Sequence, residues 1–154
     1  VGAMVFFIIM SSTVFSQLLG FSGASAGLLK WAISFELDKY WILLLMFFIL
    51  IALGMFMDAT SMMLITVPIF FPLAEQLGFN LIWFGLFVLM TFEMAGTTPP
   101  FGLLLYVMLG VAPKGTTLYQ VAASAVPYLV CDAILILMMV QWPQIALWLP
   151  SLMY

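Results

Sequence analysis

The amino-acid sequence predicts an all-α, polytopic membrane protein with discontinuous helices and re-entrant hairpins. Three observations carry that prediction. Hydrophobic residues make up 67% of the 154-residue chain and charged residues 6%, against about a quarter charged in ordinary soluble domains. So few charges cannot cover a soluble surface, so lipid is the solvent. The apolar runs leave room for about five or six passes or half-passes at ~20 residues each. Between two of those runs lies Glu93-Met-Ala-Gly-Thr-Thr-Pro-Pro-Phe-Gly102, and no continuous helix can pass through Thr98-Pro99-Pro100. Two successive prolines remove two backbone donors, and each pushes the residue before it out of helical geometry. At bilayer depth, irregular backbone is tolerated only where protein buries it or where it lines a watery cavity.

Taken in order, residues 1–37 predict a helical hairpin. Val1 to Gly20 is uncharged and long enough to span, and Phe21 to Phe35 is interrupted only by Lys30. Small residues from Gly20 to Ala26 separate the two and suit a hairpin tip; a spanning helix followed by an interfacial amphipathic helix is the alternative. The cluster Glu36-Leu-Asp38-Lys39 closes this region. With no charged segment ahead of its first apolar run, the chain does not resemble a signal peptide and reads as part of a larger membrane protein.

Residues 40–111 predict two broken helical elements. Tyr40 and Trp41 are placed as interface anchors before an uncharged run to Met57, and the run continues past Asp58 to Pro68 and Pro72. A break near Gly54–Ser61 is expected, then a helical piece ending by Gly78. Leu81 to Phe92 should run into the break at Glu93–Gly102, with a half-helix over Leu103–Val111 and a hydrophilic turn at Ala112-Pro113-Lys114-Gly115. Residues 116–154 predict a terminal transmembrane helix, Leu118 to Val140 with Pro127 as a kink, and an interface tail marked by Trp142-Pro143 and Trp148-Leu149-Pro150.

Two broken elements within about forty residues are the recurring device of secondary transporters, whose half-helix ends hold ions and substrate. The candidate ion- or substrate-binding residues are Gly54, Asp58, Thr60 and Ser61 in the first break and Gly96, Thr97, Thr98, Pro99 and Pro100 in the second. Pro68, Pro72, Glu93, Gly102 and Asp132 support them. Asp58 costs ~2.5–3.5 kcal/mol at membrane depth on insertion scales, and two roles offset that. It shapes an oxygen-rich site for a hard cation such as sodium, or it caps a helix starting at Ala59; the two are compatible. Thr97 and Thr98 set hydroxyls beside carbonyls that Pro99 and Pro100 leave unbonded. Oxygen ligands without nitrogen or sulfur suit an alkali cation, whereas local back-bonding that steadies a kink is the plainer reading. Glu93 either holds the tip by accepting backbone N–H bonds or faces the cavity. Asp132 is expected to face other helices, with its counterpart elsewhere in the protein.

Composition excludes several classes. A net charge of −3 and the absence of His argue against nucleic-acid binding, which needs a basic footprint, and against a His-based metal or acid/base site. Cys131 is alone, so it cannot form an intrachain disulfide. No Gly-rich phosphate loop followed by Lys appears, which argues against ATP coupling in this chain. No enzyme chemistry and no cofactor are expected. The 13 Met and 15 Phe read as packing and lipid-facing residues.

Gly54-Met-Phe-Met-Asp58-Ala-Thr60-Ser61, Pro68-Ile-Phe-Phe-Pro72, Gly78, Phe84-Gly85 and Glu93-Met-Ala-Gly-Thr-Thr98-Pro99-Pro100-Phe-Gly102 together resemble the large membrane subunit of TRAP (tripartite ATP-independent periplasmic) transporters. The ending Pro143-Gln-Ile-Ala-Leu-Trp-Leu-Pro150 is similar to that subunit's C-terminus, and the ordered set covers nearly the whole chain. One departure stands out: the family often has Gly two residues after the Glu, where this chain has Ala95 followed by Gly96. The resemblance implies the second inverted repeat of a sodium-coupled, elevator-type importer in the bacterial inner membrane, multi-pass, with sodium as coupling ion near Asp58, Thr97 and Thr98. It implies a small membrane subunit and a periplasmic substrate-binding protein as partners, and C4-dicarboxylates or other organic acids as substrates. The alternatives are a stand-alone sodium/dicarboxylate symporter, a sodium/proton antiporter of related fold, or a non-transporting scaffold subunit. Carboxylate-poor breaks argue against the antiporter, and the scaffold leaves both breaks without a reason.

Overall fold

The computed structural model describes residues 38–99 and 102–153, with scattered positions from Phe6 to Gly27. Among them the structure is helical throughout: α1 (Lys39–Gly54), α2 (Ala59–Gln76), α3 (Leu81–Thr97), α4 (Leu103–Val111), α5 (Leu118–Gln141) and α6 (Gln144–Met153). Most of the 1–37 hairpin lies outside the described residues; the scattered positions within it are helical except for a turn at Ser22–Gly23, where Gly23 adopts φ +71°.

Each end has a local cause. α1 has 16 residues, about 24 Å of rise, which is short of the ~30 Å hydrocarbon core. α2 starts at the cap Asp58 and keeps Pro68 and Pro72 inside, where they remove the donors to the carbonyls of Leu64 and Pro68. It stops in a Schellman turn: Gly78 adopts φ +78°, its N–H reaches the Glu75 carbonyl at 2.9 Å, and Phe79 N–H reaches that of Ala74 at 3.0 Å. Asn80 then caps α3, its Oδ1 accepting from Ile82 N at 2.9 Å and Trp83 N at 3.2 Å. A capping box of Thr117 and Gln120 opens α5, whose 24 residues form the one described helix long and apolar enough to cross a membrane. Pro127 sits inside it.

The hub is α3, which packs against all five other helices. Its Trp83, Phe84, Phe87, Val88, Phe92 and Ala95 are buried and form the core with Leu43, Met46 and Leu50 of α1, Met62 and Ala74 of α2, and Ile136 and Met139 of α5. Phe79, in the turn before α3, stacks on Trp83, and Trp83 stacks on Phe87, with centroids 5.4 and 5.8 Å apart, a geometry that adds to area burial. By contrast, α5 buries little beyond Ile136 and Met139, and Tyr128, Ile134, Leu135 and Leu137 stay exposed.

The structure sharpens two sequence expectations. The helix entering the second break does not end at Phe92 but runs on to Thr97. Glu93 to Thr97 all keep their backbone donors, so only Thr98-Pro99 stops it: Thr98 is extended at ψ 123°, as a residue before proline must be. The tail after Trp142 is a helix, α6, whose Ala146 and Leu147 pack on the core. Pro143 sits at its start, where a missing donor does no harm.

Candidate functional site

The first break is set by a side chain and by a close approach. Asp58 is extended and accepts from Ser61 N at 3.0 Å through Oδ2 and from Ser61 Oγ at 2.6 Å through Oδ1. The capping role open in the sequence is thus filled, and Ser61 is its partner. On the other side, Gly54 is buried against α3, and a Cβ there would overlap the Cβ of Ala95 and come within 3.3 Å of the Met62 thioether. Ala95 is itself fully buried. Only a glycine lets α1 end this close to the last turn of α3.

The second break is set by missing donors. Pro99 and Pro100 cannot bond the carbonyls of Ala95 and Gly96. Thr98 N–H takes the first at 3.2 Å. Both threonine hydroxyls donate backwards, Thr98 Oγ1 to the Met94 carbonyl at 2.6 Å and Thr97 Oγ1 to the same carbonyl at 3.0 Å, with Glu93 O at 3.3 Å from Thr97 Oγ1. This is the kink-steadying pattern, and it leaves both oxygens free to accept. Gly102 closes the turn, donating to the Thr98 carbonyl at 3.0 Å. A Cβ on Gly102 would lie 2.6 Å from the Gly96 oxygen and 2.9 Å from that of Thr98.

The two breaks meet. A cavity of about 260 Å³ is lined by Gly54, Met57, Asp58 and Ala59 of the first break, by Gly96, Leu103 and Leu104 of the second, and by Met62, Phe92 and Glu93. It gathers two helix C-termini, those of α1 and α3, and two N-termini, those of α2 and α4. Two carboxylates, Asp58 and Glu93, border it. The two N-termini differ in kind. That of α2 is capped by Asp58, whereas Gly102 offers α4 no side-chain cap; Leu105 N–H turns back to the Gly102 carbonyl at 3.0 Å, which leaves those of Leu103 and Leu104 to face an outside acceptor.

Not every predicted residue lines this space. Thr60 is exposed on α2, and Ser61 is tied to it only through Asp58. Thr97, Thr98 and Pro99 are half-buried behind Gly96 rather than on the wall. Pro100 lies outside the described residues. Pro68 and Pro72 sit farther along α2, and Asp132 is half-buried on α5, away from the cavity. Sequence reasoning missed Ala95 and the apolar walls Met57, Met62, Phe92, Leu103 and Leu104, whose contacts are non-local. It also missed a buried bond from Trp83 Nε1 to the Met139 carbonyl at 2.9 Å. A signal for that bond does exist: Pro143 sits four residues beyond Met139 and cannot supply the donor.

An all-helical, strongly apolar chain with one described helix long and apolar enough to cross a membrane has the make-up of a helical membrane protein, and its two interrupted helices border one cavity. The comparison with known proteins specifies the kind. The chain belongs to the family described as tripartite ATP-independent periplasmic transporter, DctM component, whose profile it matches over residues 1–145. It is 32% identical over 151 residues to the C4-dicarboxylate TRAP transporter large permease protein DctM of Rhodobacter capsulatus, covering 98% of this chain and 34% of that protein. It is 27% identical to the sialic acid TRAP transporter large permease protein SiaM of Vibrio cholerae, covering 97% of this chain and 35% of that protein. The isethionate TRAP transporter permease protein DctMQ of Oleidesulfovibrio alaskensis is 28% identical over 71% of this chain and 17% of its own length. The chain therefore spans about a third of the length of the first two relatives. These relatives are named as transporter permeases rather than enzymes.

Proposed function

We propose that the protein containing this chain is the large permease subunit of a sodium-coupled importer of organic acids in the bacterial inner membrane. It would work with a small membrane subunit and a periplasmic substrate-binding protein. The observation that carries the reading is the single cavity bordered by both breaks. Its Asp58 and Glu93 carboxylates and the carbonyl end of α3 favour a hard cation, and the uncapped N-terminus of α4 favours an anion. Cation and acid would thus share one space. Movement of α1 to α4 as a body past a static frame would carry both across, with the chain acting as the second of two inverted repeats.

Substrate choice rests elsewhere in this reading. The chain has no Arg, the residue best shaped for bidentate carboxylate recognition, and the relatives are named for C4-dicarboxylates, sialic acid and isethionate. What these have in common is the acid group, so the cavity answers to the anion and the binding protein selects the molecule. The test is uptake by the full-length permease reconstituted with its small subunit, with and without its binding protein and external sodium. Uptake should require both. Thr98→Val, which keeps shape but removes a hydroxyl, should raise the sodium concentration needed at normal expression. Uptake without the binding protein would favour a stand-alone symporter, and a sodium requirement unchanged in Thr98→Val would remove that hydroxyl from the ion site.

A further inference from the structure

Where α1 starts, α2 turns into α3 and α5 turns into α6, a second cavity of about 160 Å³ opens, and Lys39 is the charged side chain on its wall. Lys39 Nζ sits 5.3 Å from the Tyr40 ring centroid and 5.6 Å from that of Phe79, within cation–π range. Among the described residues it forms no ion pair. The cap Asp38 makes no side-chain bond to the first turn of α1, so those N–H groups also lack a side-chain acceptor. Tyr40, Trp41 and Trp142 are exposed at this end, where aromatic residues mark the depth of lipid headgroups.

This mouth continues into a groove. A third cavity, of about 300 Å³, shares Tyr40 and Val140 with the mouth and runs between α1, α3 and α5 over apolar side chains, among them Leu44, Phe47 and Leu137. From Tyr40 to Phe47 it descends along α1 by about 10 Å. A cationic mouth at headgroup depth, continuous with an apolar trough in the hydrocarbon, has the polarity order of one molecule class. We propose that this slot holds a phospholipid, its phosphate at Lys39 and the first turn of α1, and one acyl chain laid along the groove. The proposal rests on membrane embedding, not on sodium coupling or on the site between the breaks. Asp38 opposes the phosphate, so it tunes the site downward.

Native mass spectrometry of the purified full-length permease with added phosphatidylglycerol tests this. Wild type should retain a bound phosphatidylglycerol. Lys39→Gln should lower retention about fivefold, the effect of one basic residue at an anionic lipid surface, and Asp38→Asn should raise it. Leu44→Trp, which fills the trough from an exposed position, should abolish it, while Leu44→Met should not. Excess inorganic phosphate should leave the lipid in place. The proposal is overturned by no retained lipid in wild type, which would mean that another part of the protein fills the slot. It is equally overturned by retention indifferent to Lys39→Gln, or by displacement with inorganic phosphate alone. Lys39 is solvent-facing, so its variant remains informative if Leu44→Trp fails to fold.

Discussion

From Met55 to Ala59 every residue carries a backbone N–H, so nothing covalent forbids one continuous helix from α1 into α2. At Thr98-Pro99-Pro100 the chain has no such option. The first interruption is imposed by a tertiary contact, Gly54 pressed on Ala95, and by a local cap, Asp58 bonded to Ser61. The second is imposed by proline chemistry, then shaped by Gly102 closing on the carbonyls it leaves behind. Two breaks that border one cavity are thus held in place differently. One can be altered by changing a contact; the other is written into the backbone.

That contrast is most sharply broken at Gly102. The neighbours a Cβ would meet are backbone oxygens at 2.6 and 2.9 Å, which cannot rotate aside as a side-chain tip can. Gly102→Ala should therefore open the turn, at the upper end of the ~1–3 kcal/mol range for overpacking. Thermal unfolding in detergent should show the loss, and uptake by the reconstituted transporter should fall with it. A Gly102→Ala protein of wild-type stability and uptake would mean that the turn is not held by these carbonyls.

The next effect is at Gly54, where the obstacle is the side chain of Ala95. Gly54→Ala should destabilise by ~1–2 kcal/mol through overpacking, partly offset because Ala is a better helix residue than Gly. Ala95→Gly makes the missing room, so the double variant should recover most of the loss, leaving a coupling of ~0.5–3 kcal/mol as expected for residues in contact. Additive effects in that cycle would separate the two breaks. The exchange also bears on the departure at Ala95: a small residue is needed on each side of the contact, and glycine on at least one.

How far the sequence reveals this depends on the range of the cause. The stop at Thr98 is legible because proline acts on its neighbours, and the cap at Asp58 because Asp followed three residues later by Ser61 is a local pattern. Within the motif Glu93–Gly102 only the prolines deny helical bonds, so α3 extends through Glu93–Thr97 and the break falls inside Gly96–Pro100, as the residues there predict. The Gly54–Ala95 contact leaves no local trace, since both residues are also ordinary helix-packing residues. The meeting of Asp58 and Glu93 on one cavity depends on it. Trp83 lies between these cases: its partner is 56 residues away, yet Pro143 announces the orphaned carbonyl.

The smallest effect on stability, and the most useful for separating structure from transport, belongs to Asp58. Its carboxylate both caps α2 and borders the cavity. Asn caps nearly as well as Asp, whereas replacing a capping Asp by Ala costs ~1 kcal/mol. Asp58→Asn should then leave the first break and its stability near wild type while removing the negative charge from the cavity. Asp58→Ala should lose both. If the carboxylate holds the coupling cation, sodium-driven uptake falls equally in the two variants, although only Asp58→Ala unfolds at lower temperature. If Asp58 serves only to start α2, uptake instead follows stability, and Asp58→Asn transports as wild type does.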